Sequence, residues 1–292
     1  MGTRARLGYP GAMNTTAAPD PSPSAPPTAG SLLREWRMRR RMSQLDLALE
    51  AEVSQRHLSF VESGRSRPSR EMVLHLAERL DVPLRERNRL LLAAGFAPGY
   101  AERRLDDAPL APALKAVELV LKGHEPNPAI AVDRAWNLLL ANAAMAPFLE
   151  AVADPTLLSP PVNVLRLSLH PGGLAPHILD LADWRDHLME RLGRITQNVS
   201  DPRLAALVEE LRAYPVPPRR RPAAVPDPSA IAVPLRIRLG GEVLSFITTI
   251  TVFGTPLDVT LSELAVETFF AADAGTAAWL RRRAAPASPA AG

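Results

Sequence analysis

Between residues 43 and 68 the apolar positions fall twice into a helical stripe, each time behind a serine. Leu45, Leu47, Ala48 and Ala51 recur at helical spacing after Ser43, and His57, Leu58 and Val61 do so after Ser54. A serine hydroxyl accepts a hydrogen bond from the free N–H groups of a first turn, so both serines read as N-caps of short amphipathic helices. Gly64 stands just past the second stripe, where a left-handed residue ends a helix with least hindrance. Only Glu52 and Val53 separate the stripes, which predicts a steep helix-turn-helix crossing rather than a long antiparallel hairpin.

The pattern continues on both sides. Residues 31–95 read as one helical module, with a fourth helix from Ser69 and a fifth over residues 84–94 that ends at Gly95. Residues 1–30 hold few large apolar side chains and residues 284–292 none, and both are expected as disordered tails. Residues 96–112 are rich in Pro, Gly and charge and read as a linker, followed by a helix over residues 113–123. The second domain, residues 113–283, changes period. Residues 129–142 read as two short strands around a turn at Asp133 and Arg134, with a helix through residues 143–149. Residues 162–213 are mostly helical, the last helix capped by Asp201 with Pro202 at its first position. Gly240 and Gly241 then join two strands as a hairpin. Residues 260–270 are ambiguous. Thr260 and Glu263 have capping-box spacing, yet Val266, Thr268, Phe269 and Phe270 prefer strand, which is chosen from about residue 264 to 270. A helix over residues 274–283 closes the domain.

The polar face of the second short helix carries Gln55, Arg56, Ser59, Glu62 and Ser63. Gln can bond adenine with two hydrogen bonds, Arg can do so with guanine, and Ser suits base edges or phosphate, as a major-groove face requires. Ser54 opens that face. Gln44 begins the preceding helix, where free N–H groups favour a phosphate. Arg65 and Arg67 flank the exit turn as backbone clamps that position without specifying.

With these residues in place, residues 32–82 resemble the XRE/Cro-type helix-turn-helix of phage repressors. The likeness runs through LLREWRMRRR, SQLDLA, VSQRHLSFVESGRSRPS and LHLAERLDV. It implies an all-α, five-helix lambda-repressor-like domain in which Gln44 holds a phosphate and Gln55, Arg56 and Ser59 touch bases. It also implies a pairing of Arg37 with Glu62, which removes Glu62 from the base readers. A second likeness covers residues 105–283: WNLLLAN, NVLRLSL, DPRLAALVEELR and FGTPLDVTLSELAVETFFAAD resemble the MmyB-like ligand-binding domain of bacterial regulators. It implies an α+β PAS-like domain, with an antiparallel sheet around a pocket for a small apolar ligand such as a fatty acid. FGTPLDVTL departs from the more polar strand and turn of that family.

Composition narrows the remaining options. The 292 residues carry a net charge of +3, but residues 31–95 hold 13 arginines, no lysine and nine acidic residues, a local net of +4. The positive field therefore sits on the helical module, and the rest of the chain is slightly negative. Absence of cysteine excludes disulfides, thiolate metal sites and thiol nucleophiles and fits a cytoplasmic protein. No apolar run reaches the roughly 18 residues of a membrane span, so no membrane association is expected.

Candidate chemistry in the second domain is sparse. His170, His177, Asp183, Asp186 and His187 cluster in sequence, with Asp183 and His187 at i, i+4, but no third ligand has fixed spacing; the cluster reads as a solvated helix start and no metal is expected. No nucleophile elbow or carboxylate pair stands out, so an enzyme is not expected. Arg219, Arg220 and Arg221 read as a solvated loop. Trp136, Phe148, Leu165, Leu167, Trp184, Leu188, Phe246, Ile250, Phe253 and Phe269 are expected in the core. The pocket is expected from Trp136, Phe148, Leu165, Trp184, Leu188, Phe246 and Phe269, with Asn142 and Arg166 orienting a ligand.

These readings converge on a one-component transcription regulator, a homodimer that binds double-stranded operator DNA under control of a small ligand, with no other cofactor. The alternative is an antitoxin-like DNA-binding protein whose C-terminal half binds a protein partner.

Overall fold

The computed structural model describes residues 26–198, 201–218, 233–254 and 256–284. Most of the expected N-terminal tail, nearly all of the expected C-terminal one and the Arg219, Arg220 and Arg221 run lie outside the described residues.

Five helices come first: α1 (Ala29–Arg39), α2 (Gln44–Glu50), α3 (Gln55–Glu62), α4 (Arg70–Arg79) and α5 (Leu84–Ala93). Ser43, Ser54 and Ser69 each accept the N–H three residues on, and Ser43 forms a reciprocal capping box with Asp46. Gly64 and Gly95 follow α3 and α5 with φ of +73° and +87°, the left-handed conformation that glycine reaches without a Cβ clash. Leu33, Trp36, Leu47, Leu58, Leu76 and Leu90 close the core between these helices.

The first helix starts earlier than its apolar pattern suggests. Thr28 caps it, and Ala29 and Gly30 are buried. Gly30 has no room for a side chain, since a Cβ there would stand 2.1 Å from the carbonyl oxygen of Val61.

Residues 96–112, expected as a linker, are fastened at both sides. Asn88 on α5 accepts the N–H groups of Gly99 and Tyr100 and donates to the Tyr100 carbonyl. The Ala101 carbonyl accepts from Val259 N–H at 2.8 Å, and Arg103 pairs with Asp258 at 2.9 Å. The segment has a linker's proline and glycine content but is held in place by these contacts.

The second half begins with α6 (Ala111–Gly123), then β1 (Ala129–Val132), β2 (Leu138–Ala141) and α7 (Ala146–Glu150). The helical insertion is α8 (Val164–Leu169), α9 (Leu181–Asn198) and α10 (Pro202–Ala213), capped by Asp201. It is followed by β3 (Leu235–Leu239), β4 (Glu242–Val252), α11 (Val259–Ser262), β5 (Ala265–Ala271) and α12 (Ala274–Ala284). The strands form one antiparallel sheet in the order β2-β1-β5-β4-β3. Gly240 and Gly241 make the β3–β4 turn, with φ of +57° and +82°.

The last strand is thus the central one, buried on both faces. Val266 packs with Val117 and Leu121 of α6, whereas Phe269 packs with the insertion helices. Glu267 shares the Phe269 face and lies between Ile130 of β1 and Ile250 of β4. The ambiguous stretch before it divides into a short helix capped by Asp258, not Thr260, and a strand from Ala265. Ile250 and Phe253, expected in the core, are 42% and 38% exposed because β4 runs past the helices that cover the sheet.

Gly30→Ala should lower the thermal unfolding midpoint, with overpacking costing roughly 1–3 kcal/mol. An unchanged midpoint would contradict the close approach of α1 to the end of α3.

Candidate functional site

The surface expected to read DNA is set by an ion pair beneath it. Arg37 on α1 grips Glu62, the last residue of α3, through Nε and Nη2 at 2.7 and 2.8 Å, and its Nη1 donates to the Met42 carbonyl. Both charges are buried. Burial works to raise the Glu62 carboxyl, but hydrogen bonds from Arg37 and Gln44 prevail and hold it below the usual carboxylate range. The side chain of Gln44 is therefore committed: its Nε2 donates to Glu62 Oε2 at 2.8 Å. The phosphate contact expected of Gln44 falls to whatever hydrogen-bonding capacity that amide has left.

Leu58, Val61 and Glu62 face inward, which leaves Gln55 and Arg56 exposed at the start of α3 and Ser59 half-buried on the next turn. Ser54 and Ser63 serve the helix itself. Ser54 accepts the His57 N–H, and the Ser63 hydroxyl donates to the Phe60 carbonyl. Arg67 is exposed beyond the helix. Phe60 escaped the sequence reading because it lies off the apolar stripe. Its half-buried ring lies 5.4 Å from the Arg56 guanidinium and 6.0 Å from that of Arg65, so one aromatic face gathers both cations. An aromatic residue between arginines at −4 and +5 was the available signal.

Behind this module lies a cavity of about 70 Å³. Of the nine residues expected to form a pocket, Phe148, Leu165, Trp184, Leu188 and Phe269 line it. Trp136, Asn142, Arg166 and Phe246 do not. Asn142 is a brace, its Oδ1 accepting from Ala129 N–H and its Nδ2 donating to the Leu121 and Asn127 carbonyls. Arg166 pairs a carboxylate as its type suggested, but that of Glu210, at 2.7 Å through both Nε and Nη2. Phe246 is core, fully covered between Phe148 and Phe269. Trp136 sits at a turn with φ of +65°, under the guanidinium of Arg191.

The polar groups on the cavity wall are Ser168, which accepts from Trp184 Nε1 at 2.9 Å, and Glu267. Glu267 is buried and its carboxyl is pushed up by desolvation, against the pull of Arg191 at 3.1 Å. Sequence reasoning passed over it as one acid within a strand. A lone glutamate in the apolar run AVETFFA was the signal. Among the clustered histidines, His187 stacks on Trp184 with ring centroids 5.5 Å apart, and burial lowers its pKa.

A chain of ion pairs joins the two halves. Arg85 on α5 grips Glu263 through Nε and Nη2 at 2.7 and 2.9 Å and also pairs with Glu102. Glu263 further meets Arg134 at 3.4 Å, and Arg134 pairs with Asp201, the cap of α10. Glu263 lies just ahead of β5, four residues before Glu267, a separation of at most about 14 Å along the chain.

Comparison with known families agrees with this arrangement. Residues 33–87 match a helix-turn-helix family model, and residues 114–282 match the model of the MmyB-like transcription regulator ligand binding domain. No curated protein matches the chain. Among the described residues no helix is long and apolar enough to cross a membrane.

Arg37→Ala should destabilise the helical module by about 3–5 kcal/mol near neutral pH, because it strands a buried carboxylate. The depressed Glu62 carboxyl contributes stability above the unfolded value of about 4.3 that is lost as pH falls through its lower folded value, so the penalty should shrink in acid. Chemical denaturation at several pH values measures both, and a penalty independent of pH would assign the loss to packing instead.

Gln55→Ala or Arg56→Ala should cost about 1–3 kcal/mol of binding and relax base preference, whereas Arg65→Ala should weaken all duplexes alike. Fluorescence anisotropy across an operator mutant series distinguishes them. Altered preference in Arg65→Ala but not in Arg56→Ala would reverse the assignment.

Proposed function

The chain belongs to the MmyB-like transcription regulators, in which a DNA-binding helix-turn-helix is joined to a ligand binding domain, and from that premise we propose how its two halves act on each other. A small apolar, fatty-acid-like molecule enters the cavity beneath β5. Its presence shifts the population between two placements of α5, and with it the helix-turn-helix, relative to the sheet. In a homodimer such a shift alters the spacing of two recognition helices, and operator affinity changes with it.

The observation that carries this reading is a shared segment, residues 263–267, that leads from α11 into β5. One side chain of the segment, Glu263, is gripped by Arg85 of the helical module, and another, Glu267, lies on the cavity wall. The fastening of residues 99–103 to both α5 and α11 adds a second connection, so a displacement of β5 has a stiff route to the module. A cavity lined mostly by apolar side chains also suits a small molecule better than a protein partner, which favours ligand control over the antitoxin-like alternative.

On an operator selected from random duplexes, affinity with and without saturating fatty acid should differ about 5–150-fold, the usual range of coupling between sites. Glu263→Gln should keep DNA binding and reduce that ratio. Equal affinity in the presence and absence of fatty acid would sink the mechanism, and an unchanged ratio in Glu263→Gln would remove the ion pair from it.

A further inference from the structure

The strand β4 outruns one of its neighbours. β5 pairs with residues 246–252, whereas β3 pairs only with residues 242–246, which leaves residues 247–252 bonded on one side. The Ala272 N–H donates to the Ser245 carbonyl at 2.8 Å, so Ser245 and every second residue after it turn their backbone groups toward β5. Thr248, Ile250 and Val252 therefore turn theirs to the open side. Among the described residues nothing bonds to these three N–H groups and three carbonyls.

Proteins normally guard such an edge with lysine, proline, a bulge or a covering segment. Residues 243–254, VLSFITTITVFG, hold no charge and no proline, and the pairing with β5 runs without a bulge. Every residue from 247 to 252 is β-branched, the type that best keeps a backbone extended. Ile247, Ile250, Val252 and Phe253 are 39%, 42%, 64% and 38% exposed beside the edge.

We propose that the open edge of β4 is the seam of the homodimer, joined in antiparallel order to the same edge of a second copy across a two-fold axis at Ile250. The proposal rests on the homodimer of the preceding reading and names the surface that forms it. Hydrogen-bond parity selects the register, because the residue on the axis must be one whose backbone groups point outward. Centring on Thr248 would drive the second strand into Leu235 of β3, and centring on Val252, where β4 ends, would leave Thr248 without a partner. About Ile250, Thr248 meets Val252 and Ile250 meets its counterpart, so all three N–H groups and all three carbonyls of each copy are bonded.

The side chains agree with that register. It sets Ile250 beside its counterpart and Val252 on one face, and Ile247 against Phe253 on the other. Two uncharged edges also meet without like-charge repulsion. Covering what the four apolar side chains expose removes roughly 300 Å² per copy, less than the ~800 Å² per partner of a standard interface, so the dimer is a reversible one. Reversibility suits a switch. Ile250 lies opposite Glu267 of β5, so the axis is one strand away from the cavity wall.

The chain contains no cysteine, so a single introduced thiol reports the seam. In the proposed register the two Cα atoms at position 250 stand about 5.5 Å apart, within the span of a disulfide. Under mild oxidation of the full chain, Ile250→Cys should form a linked dimer, whereas Val243→Cys, exposed on the same strand beside β3, should not. Analytical ultracentrifugation of the native chain should show monomer and dimer in exchange. Val252→Lys, which adds a charge at the edge, should raise the dissociation constant about tenfold or more with unchanged circular dichroism. A dimer in which Ile250→Cys links no faster than Val243→Cys, or whose dissociation constant Val252→Lys leaves unchanged, overturns the seam and leaves the homodimer to another surface. A monomer across the micromolar range, as when another segment of the chain fills the edge, overturns seam and homodimer together, while the effect of fatty acid on operator affinity is measured separately. Should Val252→Lys fail to fold, the two cysteine variants decide the question.

Discussion

An arginine fork closed on a carboxylate is the contact that ties this chain together across long stretches of sequence. Arg37 with Glu62 fixes the reading helix against the first helix, Arg166 with Glu210 joins two insertion helices, and Arg85 with Glu263 joins the DNA module to the sheet. The composition suits this device, with 32 arginines and only two lysines. A planar guanidinium makes two parallel hydrogen bonds and stays charged when buried, whereas an ammonium group offers a point charge and shifts its pKa. The strength of each contact is therefore inseparable from its direction. That is why these pairs set angles between elements as well as holding them.

Direction is also what connects the two halves. β5 is the last strand in sequence and the central strand of the sheet, covered on both faces, so it cannot move without disturbing its neighbours. At its entrance Glu263 is shared between Arg85 and Arg134, and Arg134 in turn reaches the cap of α10. Further along, Glu267 stands in the apolar layer beside the cavity. The helical module carries a net charge of only +4 over residues 31–95, which offers a phosphate backbone modest electrostatic attraction. On the reading surface the same economy appears: Phe60 gathers Arg56 and Arg65, and Glu62 holds both Arg37 and Gln44.

The residues that were misplaced from sequence share a physical cause. Asn142 and Arg166 have the chemistry of ligand-orienting groups, and each spends it on a partner within the fold: backbone carbonyls for one, Glu210 for the other. Ile250 and Phe253 have the hydrophobicity of core residues, but the helices that cover the sheet stop short of them. Glu267 and Phe60 each leave a local mark, a lone acid in an apolar run and an aromatic residue between two arginines, but only their tertiary partners give that mark a meaning. Residues 96–112 have the composition of a linker, and only their partners at Asn88, Val259 and Asp258 make them a strap.

What the sequence determined by itself was everything governed by neighbours along the chain. Serine caps, glycine stops, stripes of apolar side chains and the Gly240–Gly241 turn act within a few residues, so their positions alone specified the helix-turn-helix and the hairpin. The pairing of Arg37 with Glu62 was within reach only through resemblance to a known module. Tertiary structure decided which charge meets which, since 32 arginines and 31 acidic residues admit many pairings that differ little along the chain. It also decided that β5 should lie at the centre of the sheet. Those outcomes depend on contacts between segments tens to hundreds of residues apart, where the energy of a contact is fixed by burial and geometry and leaves no periodic mark in the sequence.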